Sequence, residues 1–187
     1  ANNANYLIAN FVCPNLSKYL VKKPIWWSTK ISNNMDFAAI PIEMEANKTI
    51  ANYYEKGVLI DQITIYIPGE HNLNNSLGAI AASRLSGIKF LDIKKDLTSL
   101  STPNRRFEFK GTWNKRKVID DYAHHPTEIK ATISMARLII KQNNLEEPPK
   151  RLFIVFQPHR YSRLKDLMNN FATNLGMADF IILAPIY

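Results

Sequence analysis

Apolar residues recur at two spacings along the chain, and these spacings separate predicted strands from predicted helices. Residues 36–68 are rich in apolar and β-favouring side chains, Gly57 offers a turn, and isoleucine occupies every second position from Ile63 to Ile67. An alternation of period two buries one face of a strand and leaves the other in water. We therefore predict an antiparallel meander over residues 36–68.

The beginning of the chain carries a weaker pattern. The apolar positions in residues 6–12 favour a helix that leads to Pro14, and residues 25–28, IWWS, predict a short strand. Paired tryptophans can offer a stacking surface to a base, but they are more often packed in a core. We assign no function to Trp26 and Trp27.

Helical spacing begins after Gly69, which ends the last predicted strand of the meander. The apolar stripe of this predicted helix consists of Leu77, Ile80, Ala81 and Leu85, before Gly87. Small residues on the helix, Gly78 among them, would let it lie close against a sheet or a ligand. A short helix is predicted over residues 92–100, and the loss of periodicity in residues 101–104 places a domain boundary near Asn104.

Asn72 and Asn75 lie three positions apart and therefore share one face of the first predicted helix. A carboxamide offers both a donor and an acceptor, which is what the edge of an adenine ring requires. Asparagines near the start of a helix are more often caps. Both interpretations remain open on the pattern alone.

The second half begins with a predicted hairpin, formed by residues 105–111 and 117–119 around residues 112–116. It leads into DDYAHHPTE, residues 120–128, which holds two carboxylates, a phenol and two imidazoles within six positions. One such residue alone would favour a purely structural turn, in which carboxylates and histidines only order the chain. Five in six positions favour a binding or catalytic site.

A helix is predicted to begin at Pro126, because a proline lacks the N–H that would have no partner at the first helical position. Its apolar stripe consists of Ile129, Ile133, Ala136 and Ile140, and Glu128 lies in its first turn. No Ser, Thr, Asp or Asn directly precedes Pro126. We therefore expect the first N–H groups of this helix to be available to an anion.

A similar arrangement follows a predicted loop over residues 143–149. Residues 152–156, LFIVF, form a continuous apolar run that predicts a strand covered on both faces. A helix from Ser162 and a final strand over residues 180–184 complete a β-α-β unit, whose crossover should be right-handed. Because ligands of open α/β sheets bind beyond the carboxyl ends of strands, both polar clusters are expected at one edge.

Arg160 and Arg163 follow the predicted strand and provide two cations that can grip a carboxylate or phosphate. A solvated basic surface is the usual explanation for a pair of arginines. His159 beside them, and their position after a buried strand, favour a binding site instead.

Composition limits the classes of function. The 187 residues, 46% of them apolar, suffice for a hydrophobic core, and the net charge of +8 suggests acidic partners such as nucleotides. The basic residues are scattered, so we expect no nucleic-acid partner. Cys13 is the single cysteine, and no metal-ligand spacing, signal peptide or membrane-length apolar run occurs. We therefore expect a cytoplasmic protein without a membrane partner.

The two polar motifs resemble the signature segments of the carboxyl-terminal domain of the Mur ligase family. These segments are DDYAHHPTE and FQPHRYSR, residues 156–163, in the form found in the members that use L-alanine. The resemblance extends upstream through GEHNLNN, residues 69–75, and RRFE, residues 105–108. It thus covers most of the chain.

This resemblance implies an α/β fold in two parts. Residues 1–104 would be the carboxyl-terminal part of a central ATP-binding domain, with antiparallel strands and helices. Residues 105–187 would be the first part of a Rossmann-like, amino-acid-binding domain with parallel strands. The chain lacks a Gly-x-x-Gly-Lys-Thr loop and its last sheet looks unfinished, so we expect a fragment that is inactive alone.

The implied reaction is the ATP-dependent ligation of L-alanine to UDP-N-acetylmuramate through an acyl phosphate, a step in making peptidoglycan precursors. The implied ATP contacts are His71, Asn72, Asn75, Arg106 and Asp121. The implied contacts to the amino acid are Tyr122, His124, His159, Arg160 and Arg163. Mg²⁺ is implied as a cofactor, with its ligands mostly outside this chain; no catalytic residue or metal ligand is assigned within it.

Two other functions remain open. A sister enzyme that ligates recycled murein peptides shares the fold and a similar first motif, but it lacks the HRYSR form of the second. A non-catalytic module that binds nucleotides or nucleic acid is also compatible with the basic charge and the missing phosphate loop.

Overall fold

The computed structural model describes residues 6–13, 15–16, 23–101, 103–142 and 150–187. Contacts divide the chain into two units, residues 1–101 and residues 102–187. Their assignment to two domains of a larger enzyme remains a prediction. Pro14 and the predicted loop over residues 143–149 lie outside the described residues.

One sheet organises the first unit. Its strands are β1 (Ile8–Asn10), β2 (Ile25–Ser28), β3 (Phe37–Met44), β4 (Thr49–Glu55) and β5 (Val58–Ile65), paired in that order. Strands β1, β2 and β3 are parallel to one another. Strands β3, β4 and β5 form the predicted antiparallel meander. The helix predicted over residues 6–12 is wrong, because Ile8 to Asn10 pair with Ile25 to Trp27. A few apolar residues cannot distinguish a helix from a buried strand.

The predicted alternation along β5 is confirmed. Ile63 and Ile65 are fully buried, whereas Tyr66 is exposed. Two helices contribute to the same core, α1 (Glu70–Leu85) and α2 (Phe90–Leu97). The second begins earlier than predicted, since Phe90 is itself buried and stacks on Tyr53 with ring centroids 4.7 Å apart.

Helix α1 lies close to the sheet where its residues are small. A Cβ atom at Gly78 would stand 3.3 Å from the indole ring of Trp27. That indole donates from Nε1 to Oδ1 of Asn74 at 2.9 Å, and Asn74 also accepts from Asn10 at 3.2 Å. Trp27 therefore has a structural role, which is the more common one for a tryptophan.

A charged network joins β4 to the end of α1. Arg84 donates from Nε and Nη2 to the two carboxylate oxygens of Glu55, at 2.6 and 3.1 Å. The buried Tyr53 hydroxyl donates to the same carboxylate at 2.8 Å. The hydrogen bond from Arg84 is the main reason that the pKa of Glu55 lies below its ordinary value, although burial opposes it.

The second unit contains the predicted hairpin and β-α-β unit. The hairpin strands β6 (Glu108–Trp113) and β7 (Arg116–Asp120) are joined at Asn114 and Lys115. Both turn residues have positive φ, 47° and 62°, which matches the right-handed twist of a hairpin. Helix α3 (Pro126–Gln142) begins at the predicted proline.

Strands β8 (Phe153–Phe156) and β9 (Phe180–Leu183) are parallel, as predicted, and are joined by α4 (Tyr161–Asp166) and α5 (Met168–Leu175). The single helix predicted from Ser162 is thus two helices. The core residues of this unit are Ile129, Ile133, Phe156, Phe171 and Leu175.

The expectation that β8 is covered on both faces is wrong for the described residues. Phe153 is 50% exposed and Val155 is 73% exposed, whereas Phe156 is buried. Alternate residues of a strand point to opposite faces, and the described helices cover only the face that carries Phe156. Although residues 152–156 are all apolar, only one face of β8 is covered by the described residues.

Replacing Arg84 with alanine removes both of its hydrogen bonds to Glu55. We expect the free energy of local unfolding in residues 1–101 to fall by about 1–3 kcal/mol, the usual effect of removing the partner of a half-buried charge. Hydrogen exchange at the amides of β4 and α1 measures this change. Lys95→Ala, which removes the same charge from an exposed site on α2, is the matched control and should leave the exchange unchanged.

The stabilisation by the Arg84–Glu55 pair should also depend on pH. Because the folded-state pKa of Glu55 is below the ordinary 4.5, its contribution is complete above that pH and is lost as the pH falls through the lower, folded-state pKa. The difference between wild type and Arg84→Ala should therefore shrink only in acid. A difference that persisted after Glu55 is protonated would contradict this assignment.

Candidate functional site

Asp121 orders the backbone on both sides of the hairpin. Its Oδ2 accepts from the N–H of Phe107 at 2.8 Å, and its Oδ1 accepts from the N–H of Ala123 at 2.8 Å. A third bond runs from the N–H of Tyr122 to the carbonyl of Arg105 at 2.7 Å. These contacts hold Arg105 and Phe107 at positive φ, 60° and 51°. Such a backbone is costly for a residue with a side chain unless its surroundings determine it.

Arg105 belongs to the RRFE segment of the resemblance but was assigned no ligand from the sequence. Its Nε donates to Oδ2 of Asp120 at 3.2 Å, and its guanidinium lies 5.0 Å from the centre of the Tyr122 ring. The Tyr122 ring in turn meets the His124 imidazole edge-on, with centroids 5.2 Å apart. The signal for it in the sequence was its place in that segment, directly before the predicted Arg106.

The two histidines of the motif have different partners. Nδ1 of His124 lies 2.9 Å from the carbonyl oxygen of Tyr122. A carbonyl oxygen only accepts, so this ring nitrogen carries a proton and Nε2 is left for other partners. Nδ1 of His125 instead accepts from the N–H of Thr127 at 3.3 Å. His125 is therefore a turn residue, as expected.

The start of α3 is less open to an anion than predicted. The N–H of Thr127 is bound by His125, and Pro126 has no N–H to offer. Glu128 accepts through Oε2 from the N–H groups of His124 and His125, at 3.0 and 3.1 Å. Glu128 thus reaches back from the third helical position to N–H groups that precede the helix, as the glutamate of a capping box does, while His125 bonds an N–H of the first turn.

Glu128 also lies close to two charged or chargeable side chains. Its Oε2 is 3.6 Å from Nδ1 of His124, and its Oε1 is 4.0 Å from Nη1 of Arg106. Burial by itself would raise the pKa of Glu128. The amides of His124 and His125, with the charges of His124 and Arg106, nevertheless bring that pKa below its ordinary value.

The second polar motif meets the first through Arg163. Its Nη1 donates to the carbonyl oxygen of His124 at 3.4 Å, which is near the outer limit of a hydrogen bond. Asn174 of α5 donates to the carbonyl of Pro126 at 2.8 Å and supports the same approach. Both predicted clusters are therefore brought together within the second unit.

His159 and Arg160 lie apart from that contact. The ring of His159 stacks against Tyr187 with centroids 5.6 Å apart, and the N–H of Arg160 donates to the carbonyl of Tyr187 at 3.1 Å. Both side chains are exposed. No described hydrogen bond or ring contact joins either of them to His124. Arg160 has a positive φ of 67° at the start of α4.

In the first unit, a hydrogen bond joins two of the three predicted ATP contacts. Nδ2 of Asn75 is 3.1 Å from Nε2 of His71, one helical turn away, and both residues are exposed. Asn72 is half-buried and donates to the carbonyl of Pro68 at 2.8 Å, so its amide holds the turn before α1. The N-cap of this helix is Gly69, without a side-chain cap bond.

Comparison with known proteins gives a consistent result. The family model described as Mur ligase, glutamate ligase domain matches residues 105–185. A UDP-N-acetylmuramate–L-alanine ligase from Prochlorococcus marinus is 54% identical over 99% of this chain. A ligase of the same name from Parasynechococcus marenigrum is 41% identical over the whole chain. Residues 105–185 belong to the Mur ligase family.

The chain spans about 40% of the length of these two Mur ligases. Solved structures agree on the fold. The crystal structure of UDP-N-acetylmuramate-alanine ligase MurC from Thermotoga maritima matches 87% of this chain, and 34% of that chain, with a TM-score of 0.67 and 24% identity. A pseudomurein peptide ligase type C from Methanothermus fervidus matches 80% of this chain, and 27% of that chain, with a TM-score of 0.57 and 24% identity.

Neither a metal cluster nor a membrane span is found in the described part of this chain. No three or more His, Cys, Asp and Glu side chains are grouped so that they could hold a metal ion. No helix is both long enough and apolar enough to cross a bilayer. We assign none of the described residues to Mg²⁺.

Replacing Asp121 with asparagine should loosen the backbone of the site. An amide side chain has one acceptor oxygen, and its NH₂ group would face one of the two N–H donors. We expect hydrogen exchange at the amide of Phe107 or Ala123 to accelerate about tenfold, as for the loss of one charge-assisted hydrogen bond.

Asp120→Asn is the matched control, because Asp120 forms only a surface pair with Arg105 among its described contacts. Its effect on the same two amides should be small. Equal effects of the two substitutions would contradict the ordering role of Asp121.

Proposed function

We propose that the ligase carrying this chain joins L-alanine to UDP-N-acetylmuramate at the expense of ATP, in the cytoplasm, during synthesis of peptidoglycan precursors. The relatives of that name support the choice of substrates. The structural observation that carries the proposal is the contact of Arg163 with the carbonyl of His124, because it brings the guanidinium of the second motif to the backbone of the residue whose imidazole is its proposed partner. Such a pair suits a small zwitterion.

In this proposal Arg163 grips the carboxylate of L-alanine. A guanidinium has five N–H donors, so the bond to the carbonyl of His124 leaves others for the ligand. His124 contacts the amino acid through Nε2, since its Nδ1 donates to Tyr122. Arg160 supplies a second cation, and His159 and Tyr122 line the same region.

The proposed ATP contacts divide between the two units. In the first unit, Asn75 contacts the adenine, with His71 and Asn72 as its neighbours at the ATP site. In the second unit, Arg106 contacts the phosphates or the base, and Asp121 accepts from the ribose hydroxyls. An ionised carboxylate has about four lone-pair sites, so the two amide bonds of Asp121 leave capacity for a ligand.

The chemistry consists of two displacements. A carboxylate oxygen of the muramoyl group attacks the γ-phosphorus of ATP, and ADP leaves as the acyl phosphate forms. The amine of L-alanine then attacks the acyl carbon, the carbon–oxygen bond to phosphate breaks, and the nitrogen loses a proton. Both steps crowd anions together, so the residues of this chain contribute by holding and orienting them. Bound Mg²⁺ would neutralise phosphate charge.

Arg163→Ala should raise the KM for L-alanine in the full-length ligase about tenfold or more, with little change in the KM for ATP. The reason is the loss of a charged grip worth roughly 1.5–3 kcal/mol per hydrogen bond. Steady-state kinetics with each substrate varied in turn measures the two constants. Lys165→Ala, an exposed residue on the same short helix, is the control and should leave both unchanged.

An unchanged KM for L-alanine in Arg163→Ala would remove the proposed grip. Replacing L-alanine by a murein peptide in the same assay tests the substrate class. Faster turnover of the peptide than of L-alanine would instead indicate a recycling ligase. Single-stranded DNA that bound with a strong salt dependence, while ATP did not bind, would indicate a nucleic-acid module.

A further inference from the structure

The carboxylate of Glu128 lies between the side chains proposed to contact the two substrates. One oxygen accepts from the amides of His124 and His125, at 3.0 and 3.1 Å, and lies 3.6 Å from Nδ1 of His124. The other oxygen faces Arg106 at 4.0 Å. We propose that Glu128 is a positioning residue of the ligase reaction, which fixes the imidazole of His124 and the guanidinium of Arg106 around a single carboxylate. This inference rests on the roles proposed above for those two residues.

Glu128 is better shielded from water than either partner. Its side chain is 26% exposed, compared with 34% for His124 and 44% for Arg106. Charges interact more strongly where water is partly excluded. The carboxylate is therefore the least solvated of the three groups, and two backbone amides hold it in place beside the other two.

The carboxylate also favours one form of the His124 ring. The Nδ1 proton points to the carbonyl of Tyr122 and has the Glu128 carboxylate as a second acceptor nearby. Both acceptors favour the proton on Nδ1, so Nε2 remains free to face the amino acid. A hydrogen bond to one ring nitrogen sets the role of the other in this way.

A purely structural role is the alternative, because Glu128 accepts two amides at the start of α3 as an ordinary cap does. The two roles differ in what they change. A cap that is lost lowers the stability of the turn and alters all kinetic constants together. A lost positioning residue raises the KM for L-alanine more than it lowers kcat.

Two substitutions separate these roles. Glu128→Gln keeps an acceptor oxygen for the two amides and removes the charge, whereas Glu128→Ala removes both. In the full-length ligase, we expect Glu128→Gln to raise the KM for L-alanine roughly tenfold at an unchanged melting temperature, and Glu128→Ala to raise it further. Asp166→Asn, which removes one negative charge from an exposed position on α4, is the control and should change neither quantity.

The inference is overturned if the KM for L-alanine is unchanged in both variants. It is also overturned if kcat and both KM values change by the same factor together with a lower melting temperature. The Arg163→Ala variant tests the proposed L-alanine site separately. If Arg163→Ala raises the KM for L-alanine and Glu128→Gln does not, the positioning role fails while the proposed function stands.

A measurement without substrates gives a second test. In the ¹⁵N spectrum of the imidazoles of this chain, neutral His124 should show a protonated Nδ1 and an unprotonated Nε2. Glu128→Ala should weaken that preference, and the control Asp166→Asn should not. A proton on Nε2 in the unsubstituted chain, or no change in Glu128→Ala, would overturn the inference whatever the kinetics show.

Discussion

Backbone N–H groups bound by carboxylates are the interaction on which the site depends. A turn between a strand and a helix has no regular partners for its amides, and an unpaired amide is costly to bury. Here Asp121 accepts from Phe107 and Ala123, while Glu128 accepts from His124 and His125. The residues that order this turn are therefore the same kind of residue that would otherwise be taken for ligands of a substrate.

The carboxylates of residues 120–128 order the turn and also belong to the proposed site. The structural alternative for residues 120–128 and the functional one are not exclusive, because ordering the turn is what directs Tyr122 and His124 outward. Only His125 has contacts that are explained by the turn alone, through Thr127. The density of polar residues in this stretch thus serves the backbone first, and the exposed side chains are positioned as a result.

Features that depend on neighbouring residues were predictable from the sequence. The burial of Ile63 and Ile65, the hairpin before Asp120 and the start of α3 at Pro126 all follow from local spacing or local stereochemistry. The roles proposed for the site residues, by contrast, come from family resemblance. The fold could be predicted further than the site for this reason.

Features that depend on distant partners were not predictable. Ile8 to Asn10 form a strand because β2 offers an edge to pair with, and the apolar residues of β8 differ in burial because helices cover only one of its described faces. Glu128 had a predicted place in the first helical turn, but its two amide partners and its distance to Arg106 appear only once the chain is folded. Arg163 likewise reaches a carbonyl 39 positions away.

At Arg105, Phe107 and Arg160, a positive φ angle sets backbone stability against the side chain that each position carries. Each costs about 1–3 kcal/mol in a backbone conformation that glycine adopts without strain. A selection for heat resistance alone would therefore favour glycine at these positions, and at Arg160 it would discard a guanidinium proposed to grip the amino acid. Consensus or thermostability design on this chain should exempt these three positions from glycine replacement.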